Sequence, residues 1–248
     1  MEIENKLALN NYNVTMSNVL TRASHALTLD EKRVIACCIA KTDSRKGEHI
    51  HSHLAKFTKI RITALDFAET FGIDSKIVYS QLKTAADNLF ERQLSIKTNR
   101  RGNERITRFR WVTSASYAES EGFIEVSFSP EIYPHLQSLK SQYTTYKLQN
   151  AAAFRSVYSW RLFEIARSWL GTNKPVKLSL ENIRHQLDVP TSYKWNDVKK
   201  RALDPAILEI SKHEKIDITY TTKKSGRSVS DLIFTFKKRE KLDLLIDI

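Results

Sequence analysis

The stretch YKWNDVKKRALDPAILEI, Tyr193 to Ile210, joins two unlike halves. In the first, Lys194, Lys199, Lys200 and Arg201 crowd around Trp195 and Asn196; the second is mostly apolar, with Pro205 inside it. Val198, Ala202, Ala206 and Ile210 recur every four residues, the spacing of one helical stripe. Turned inward, that stripe leaves Asp197, Lys200 and Arg201 projecting outward near the helix N-terminus, where donors can meet guanine O6 and N7 or phosphate oxygens. Asn196 suits the N-cap and could alternatively read adenine. Lys194 and Trp195 precede the helix, placed for backbone and sugar. Pro205 lacks an N–H and predicts a bend in mid-helix.

Outward from this segment the chain reads as a repeated order. KPVKLS is a short strand and SLENIRHQLDV a short helix capped by Ser179. KIDITYTTKKSGRSVSDLIFTFKK alternates as a hairpin, with Lys223, Lys224 and Arg227 around Gly226 at its tip. NAAAFRSVYSWRLFEIARSWL reads as one long amphipathic helix stopped by Gly171. In the first half, residues 17 to 41 read as helix, broken near Thr28, where Thr28 and Glu31 make a capping box. KFTKIRIT, with Phe57, Ile60 and Ile62, is a short strand. Thr63 then opens a helix carrying Leu65, Phe67, Ala68 and Phe71 and ended by Gly72. DSKIVYSQLKTAADNLFERQ places Val78, Leu82, Ala85 and Leu89 on one face. LSIKT, the turn NRRGNE and RITRFRWV form a hairpin, and GFIEVSF is a further strand. Thr63 matches Ser179 and Phe71 matches Leu187, both at an offset of 116 residues.

Helix, strand, helix, helix, hairpin, occurring twice, is the order of an α+β chain made of two tandem winged helix-turn-helix domains, drawn at residues 1–130 and 131–248. In each, the third helix can enter a major groove while the hairpin tip reaches the neighbouring backbone. The first domain's third helix exposes Lys76, Ser80 and Lys83, a thinner set of donors. Its hairpin is richer, with Arg100, Arg101 and Arg105 around Gly102 and Arg108 and Arg110 farther along. Both basic tips suit phosphate contact.

Composition agrees with an anionic partner. The 248 residues hold 40 Lys plus Arg against 28 Asp plus Glu, a formal charge of +12 that attracts nucleic acid or an anionic membrane surface. The start MEIENKLALNN lacks the pattern of a signal peptide, and no run approaches the twenty apolar residues of a span, so the expectation is a cytoplasmic protein with no membrane partner. Cys37 and Cys38, neighbours in VIACCIA, read as buried thiols of a reducing compartment. VIACCIA itself reads as a core helix, with a dimer surface as the alternative. There is no Walker loop, Cys-x-x-Cys or Gly-x-Ser-x-Gly, so no catalytic residue, metal or cofactor is assigned. His49, His51 and His53, with Tyr79 followed by Lys83, imitate a metal-dependent tyrosine nickase, but the histidines fall in a polar loop, which favours a surface segment.

Tyr193 with WNDVKKRALDPAILEI resembles the iteron-binding plasmid replication initiators in its aromatic, its Val-Lys-Lys-Arg run, its Pro-Ala-Ile and its Glu-Ile. FRSVYSWRLFEI resembles the start of that family's second domain, and NVLTRASHALTLDEKRVIACCIA its N-terminal helices; the likeness runs from about Asn18 to Phe236. It implies tandem winged helices that bind directly repeated origin sites in double-stranded DNA as monomers, open an adjacent A·T-rich segment and engage the host initiator and helicase. It also implies a homodimer, held by the N-terminal domain, that represses an inverted-repeat operator, with chaperones shifting dimer to monomer. The principal base reader would be the third helix of the second domain, with Lys194, Trp195, Asn196, Asp197, Lys200 and Arg201. Val198 and Ala202 are smaller than the family's residues there, which bears on the tilt of that helix. A winged-helix transcription regulator without a replication role has the same binding chemistry.

Overall fold

The two short helices that follow Thr63 and Ser179 are superimposable in sequence position. In a computed structural model of the chain, which describes residues 8–43, 59–118, 121–136, 139, 141–172 and 174–239, strand β2 (Ile60–Thr63) runs into α3 (Ala64–Phe71). One hundred and sixteen residues later β8 (Val176–Ser179) runs into α7 (Leu180–Leu187). Thr63 Oγ1 accepts from Asp66 N at 3.0 Å and Ser179 Oγ from Asn182 N at 3.1 Å, so each hydroxyl satisfies one of the amides a helix start leaves orphaned. Both helices end in a left-handed residue, Gly72 (φ 62°) and Asp188 (φ 54°).

Each unit then adds its third helix and closes its sheet. In the first, α4 (Ser75–Glu91) follows a three-residue turn and buries Val78, Leu82, Ala85, Ala86 and Leu89. β5 (Val112–Ala118) and β6 (Phe123–Phe128) complete a sheet of order β2-β6-β5. In the second, the turn is longer, and α8 (Trp195–Asp197), a wide π turn (Val198–Leu203) and α9 (Asp204–His213) form one continuous run. β9 (Ile216–Ser225) and β10 (Ser228–Lys238) close a sheet of order β8-β10-β9. The two sheets share one topology: this is the tandem winged-helix fold.

Two elements depart from the sequence reading. The hairpin β3 (Gln93–Arg100) with β4 (Asn103–Arg110) forms its own two-stranded sheet, inserted between α4 and β5. It is not the wing equivalent to β9–β10, as its order in the chain suggested; β5–β6 is. The long helix expected over 150–170 is two, α5 (Leu148–Ala152) and α6 (Val157–Trp169). Phe154 turns fully into the core between them, Arg155 N donates to Glu209 Oε1 at 2.7 Å, and Ser156 caps the new helix. The N-terminal stretch is two helices, as the break near Thr28 predicts: α1 (Asn18–Thr21) and α2 (Leu29–Asp43). Here the expected box holds: Thr28 N donates to Glu31 Oε2 at 2.9 Å and Glu31 N to Thr28 Oγ1 at 3.4 Å.

The chain also closes on itself. β1 (Asn13–Ser17) pairs antiparallel with β7 (Tyr143–Lys147), so the boundary drawn at residue 130 cuts off a strand and a helix, α5, that pack with the N-terminal unit. In α2, every residue from Val34 to Ala40 is at most 1% exposed. VIACCIA is therefore core on all sides and offers no dimer surface, and both thiols lie inside it, where burial pushes that of Cys38 up to about 12.

Between the units α6 is buried from Ser159 to Ala166. Glu164 within it meets Lys32 of α2 at 2.8 Å, Arg161 at 2.8 Å and the Tyr146 hydroxyl at 2.6 Å. Burial alone would raise the Glu164 pKa, but Lys32 and Arg161 hold it below the usual range. Burial pulls Lys32 down to about 8 despite Glu164. His25, which donates from Nε2 to Leu20 O at 2.8 Å, is kept neutral by burial and by Arg161 and Lys32.

Candidate nucleic-acid interface

The second unit's third helix separates its faces as its spacing demands. Val198, Ala202, Leu203, Ala206 and Ile210 are fully buried, while Asn196, Lys199, Lys200 and Arg201 are exposed. The bend expected at Pro205 is taken up just before it. The π turn ends at Leu203, so the helix widens where the proline ring would press on a preceding carbonyl and where a backbone donor is missing. Lys199, Lys200 and Arg201 all lie in that turn.

The first turn differs from expectation in its cap. Lys194, not Asn196, is the N-cap, and the Asp197 carboxylate accepts from its backbone N–H at 3.2 Å. Asp197 is half-buried and also pairs with Arg201 at 3.4 Å, so it organises the helix start and does not project freely outward as expected. The Arg201 guanidinium rests 5.2 Å from the Tyr193 ring, and Lys199 lies 4.0 Å from Asp204. Trp195 is half-buried, edge-on to Tyr220 at 6.4 Å, and Tyr220 in turn donates to Asp204 at 2.8 Å. Asn196 and Lys200 are thus exposed and in no ion pair among the described residues, and Arg201 is held pre-oriented by Tyr193 and Asp197.

Beside this helix the wing β9–β10 extends past the body of the unit. Residues 221–228, including Lys223, Lys224 and Arg227, are all exposed, and Gly226 (φ 60°) makes the tight turn. Helix and wing together present one basic surface, with Arg184 tying the intervening loop to α7 through Tyr193 O and Pro190 O. Sequence reasoning missed Arg184 and Tyr193 as supports, because their roles depend on a loop of seven residues with no periodic signal.

The first unit is less basic at the corresponding place. Lys76 and Ser80 are exposed on α4. Lys83 is not a projecting donor as expected: it is half-buried with Nζ 4.3 Å from the Tyr117 ring of β5. The basic hairpin β3–β4 turns on Arg101 (φ 54°) and Gly102 (φ 84°), with Arg101, Arg105 and Arg108 exposed and Arg100 ending β3. Its lower half is bound to the rest of the chain. Ser95 bridges Ser24, Leu94 and Ile96 are buried, and Lys97 meets Glu181 of α7 at 2.8 Å. The true wing of this unit, β5–β6, is joined by Glu119-Ser120-Glu121-Gly122, an acidic sequence.

The Tyr79 hydroxyl is buried, where a phosphodiester cannot approach, and His49, His51 and His53 lie outside the described residues. No helix among the described residues is long and apolar enough to cross a membrane.

Two winged helices in tandem, one with a basic reading helix beside a basic wing, define a DNA-binding protein of the winged-helix class. The chain matches the family described as "Initiator Replication protein, WH1" over residues 13–167 and that described as "Initiator Rep protein, WH2" over residues 179–236, and it belongs to these replication initiators. It is 26% identical to the PI protein of Escherichia coli over 254 residues, covering 88% of this chain and 80% of that one. It is 23% identical to an uncharacterized 27.6 kDa protein of the same organism over 235 residues, covering 92% and 97%. Its fold matches the crystal structure of Pi initiator protein in complex with iteron DNA, with a TM-score of 0.72 at 21% identity, covering 94% of this chain and 99% of that one.

Proposed function

We propose that the chain starts plasmid replication by binding directly repeated sites, iterons, in double-stranded origin DNA and promoting opening of the origin. The observation that carries this reading is the second unit's exposed Asn196, Lys199, Lys200 and Arg201 on a helix anchored by a fully buried stripe, with a basic wing alongside, in a chain of the initiator family. Asn196, Lys200 and Arg201 read bases. Lys194, Trp195, Lys199 and the wing residues Lys223, Lys224 and Arg227 hold sugar and phosphate, and Lys76, Ser80, Arg100, Arg101 and Arg105 add contacts from the first unit. Binding energy, with several copies straining adjacent repeats, does the work, without a cofactor or catalysis by the chain itself, in the cytoplasm. A homodimer through the first unit represses an inverted-repeat operator; β4, which pairs with β3 alone among the described residues and exposes Ile106, supports such self-association. The host initiator, helicase and chaperones are the further partners.

The test is a plasmid whose sole origin is the repeat array beside the gene. It should replicate only when the chain is supplied, and repression without replication would leave a transcription regulator in its place. In vitro, about six to ten phosphate contacts should make affinity fall steeply with salt; a flat response counts against the interface.

A further inference from the structure

The repeat exposes one residue whose identity its own element does not explain. Helices α3 and α7 end 116 residues apart, each in a left-handed residue. The first uses Gly72, the residue that takes positive φ without steric cost; the second uses Asp188. What the aspartate adds is a carboxylate, and it is directed at the other unit. Its Oδ2 accepts from His25 N and from Ala26 N, both at 2.9 Å, and its Oδ1 from the Ser24 hydroxyl. Ala26 is itself left-handed (φ 51°), the arrangement that turns two successive amides toward one anion. Two unfavourable backbone conformations, 162 residues apart, thus complete each other, and such conformations persist where surroundings over-determine them for a purpose.

The bonds around this contact run from the first unit's basic hairpin to the loop that precedes the second unit's third helix. Behind it Arg161 of α6 donates to Thr21 O at 2.9 Å and Ala23 O at 2.7 Å in the first unit, and to Gln186 O of α7 at 3.0 Å. Toward the first unit, Ser24 exchanges backbone bonds with Ser95 of β3 at 3.0 and 2.9 Å, and Trp111 Nε1 donates to His25 O at 3.0 Å. Toward the second, Asp188 opens the loop that leads straight into Lys194 and Trp195. We propose that Asp188 is a positioning residue that locks the two DNA-contacting units at one separation, so that the chain measures the spacing between its two contact segments on DNA. This rests on the reading, made above, that both units touch DNA. One inserted base pair shifts a segment by about 3.4 Å and turns it by about a tenth of a helical turn, which a locked pair of heads cannot follow.

The experiment uses the full chain and Asp188→Asn. Asparagine keeps the shape and tolerates the left-handed conformation, but it leaves one acceptor oxygen for three donors. Affinity is measured on the native site, on sites with one to four base pairs inserted between the segments protected by each unit, and on DNA bearing the second unit's segment alone. The wild type should lose about tenfold or more on a single insertion, because simultaneous engagement is forbidden, and the variant less than about threefold. Both should bind the single segment equally, and Ser24→Ala, which removes one of the three bonds, should fall between them and serves if Asp188→Asn does not fold. An insertion penalty as large in the variants as in the wild type overturns the proposal, as does loss of binding to the single segment, which would place the defect in the reading helix. A wild type that binds the full site no better than the single segment removes the two-unit reading itself, and the lock with it.

Discussion

The hairpins β5–β6 and β9–β10 hold the same place in their sheets, yet one is joined by Glu119-Ser120-Glu121-Gly122 and the other by a tip carrying Lys223, Lys224 and Arg227. The helices beside them differ in the same direction. α4 offers Lys76 and Ser80 and engages Lys83 with Tyr117, whereas the π turn of the second unit exposes three consecutive cations. The first unit's positive charge sits instead on the inserted hairpin β3–β4, whose base is bound to Ser24 and Glu181. Two copies of one fold thus carry their charge on different elements. On the function proposed above, the second reads, and the first braces the reader and adds charge from its inserted hairpin.

That contrast can be broken at several points. The largest effect should come from the joint both units share: Glu164→Gln leaves Lys32 and Arg161 buried without their carboxylate and should cost about 3–5 kcal/mol, melting both units together in a thermal scan. Separate transitions for the two units would mean that the joint is not common to them. Next, Lys200→Ala should lose about 1–3 kcal/mol at the specific site and little on random DNA, measured by competition binding. Equal losses on both would move Lys200 from reader to phosphate holder.

Acid should weaken the joint by a smaller, graded amount. The folded state keeps His25 neutral, so as pH falls through about 6.5 the unfolded chain takes up a proton that the folded chain refuses. Stability should be full above that pH and decline below it by at most about 1.4 kcal/mol per unit for this histidine. His135 and His185, also lowered by burial, push the same way. A melting temperature constant from pH 7 to 5 would contradict this. The smallest change concerns the hairpins: Arg101→Asn, which suits the left-handed turn, and Lys224→Ala should each reduce the salt slope by about one and weaken specific and random binding alike. If Arg101→Asn has no effect while Lys224→Ala does, β3–β4 is a brace alone.

Much of this was legible because local chemistry fixes it. Thr63, Ser179 and the Thr28–Glu31 pair cap helices through bonds spanning three residues, and the stripe from Val198 to Ile210 needs only the helical period. What was hidden depends on partners far along the chain. Nothing in β7 announces that it pairs with β1, and nothing local to Asp197 tells a cap and ion-pair partner from a base reader. A basic hairpin following a reading helix has the sequence of a wing whether or not it joins the sheet; only the pairing of β2 with β6 decides against β3–β4. Asp188 was legible in principle, since the 116-residue offset sets it against Gly72, but its role required seeing Ser24, His25 and Ala26 across the joint.

The most direct test of the division between reader and brace is a footprint on the DNA flanking the gene, run with the wild type, Lys200→Ala and Arg101→Asn. The expected result is a ladder of evenly spaced protected repeats that Lys200→Ala erases at concentrations where Arg101→Asn only weakens it. Protection without regular spacing, or a ladder untouched by Lys200→Ala, would contradict the account.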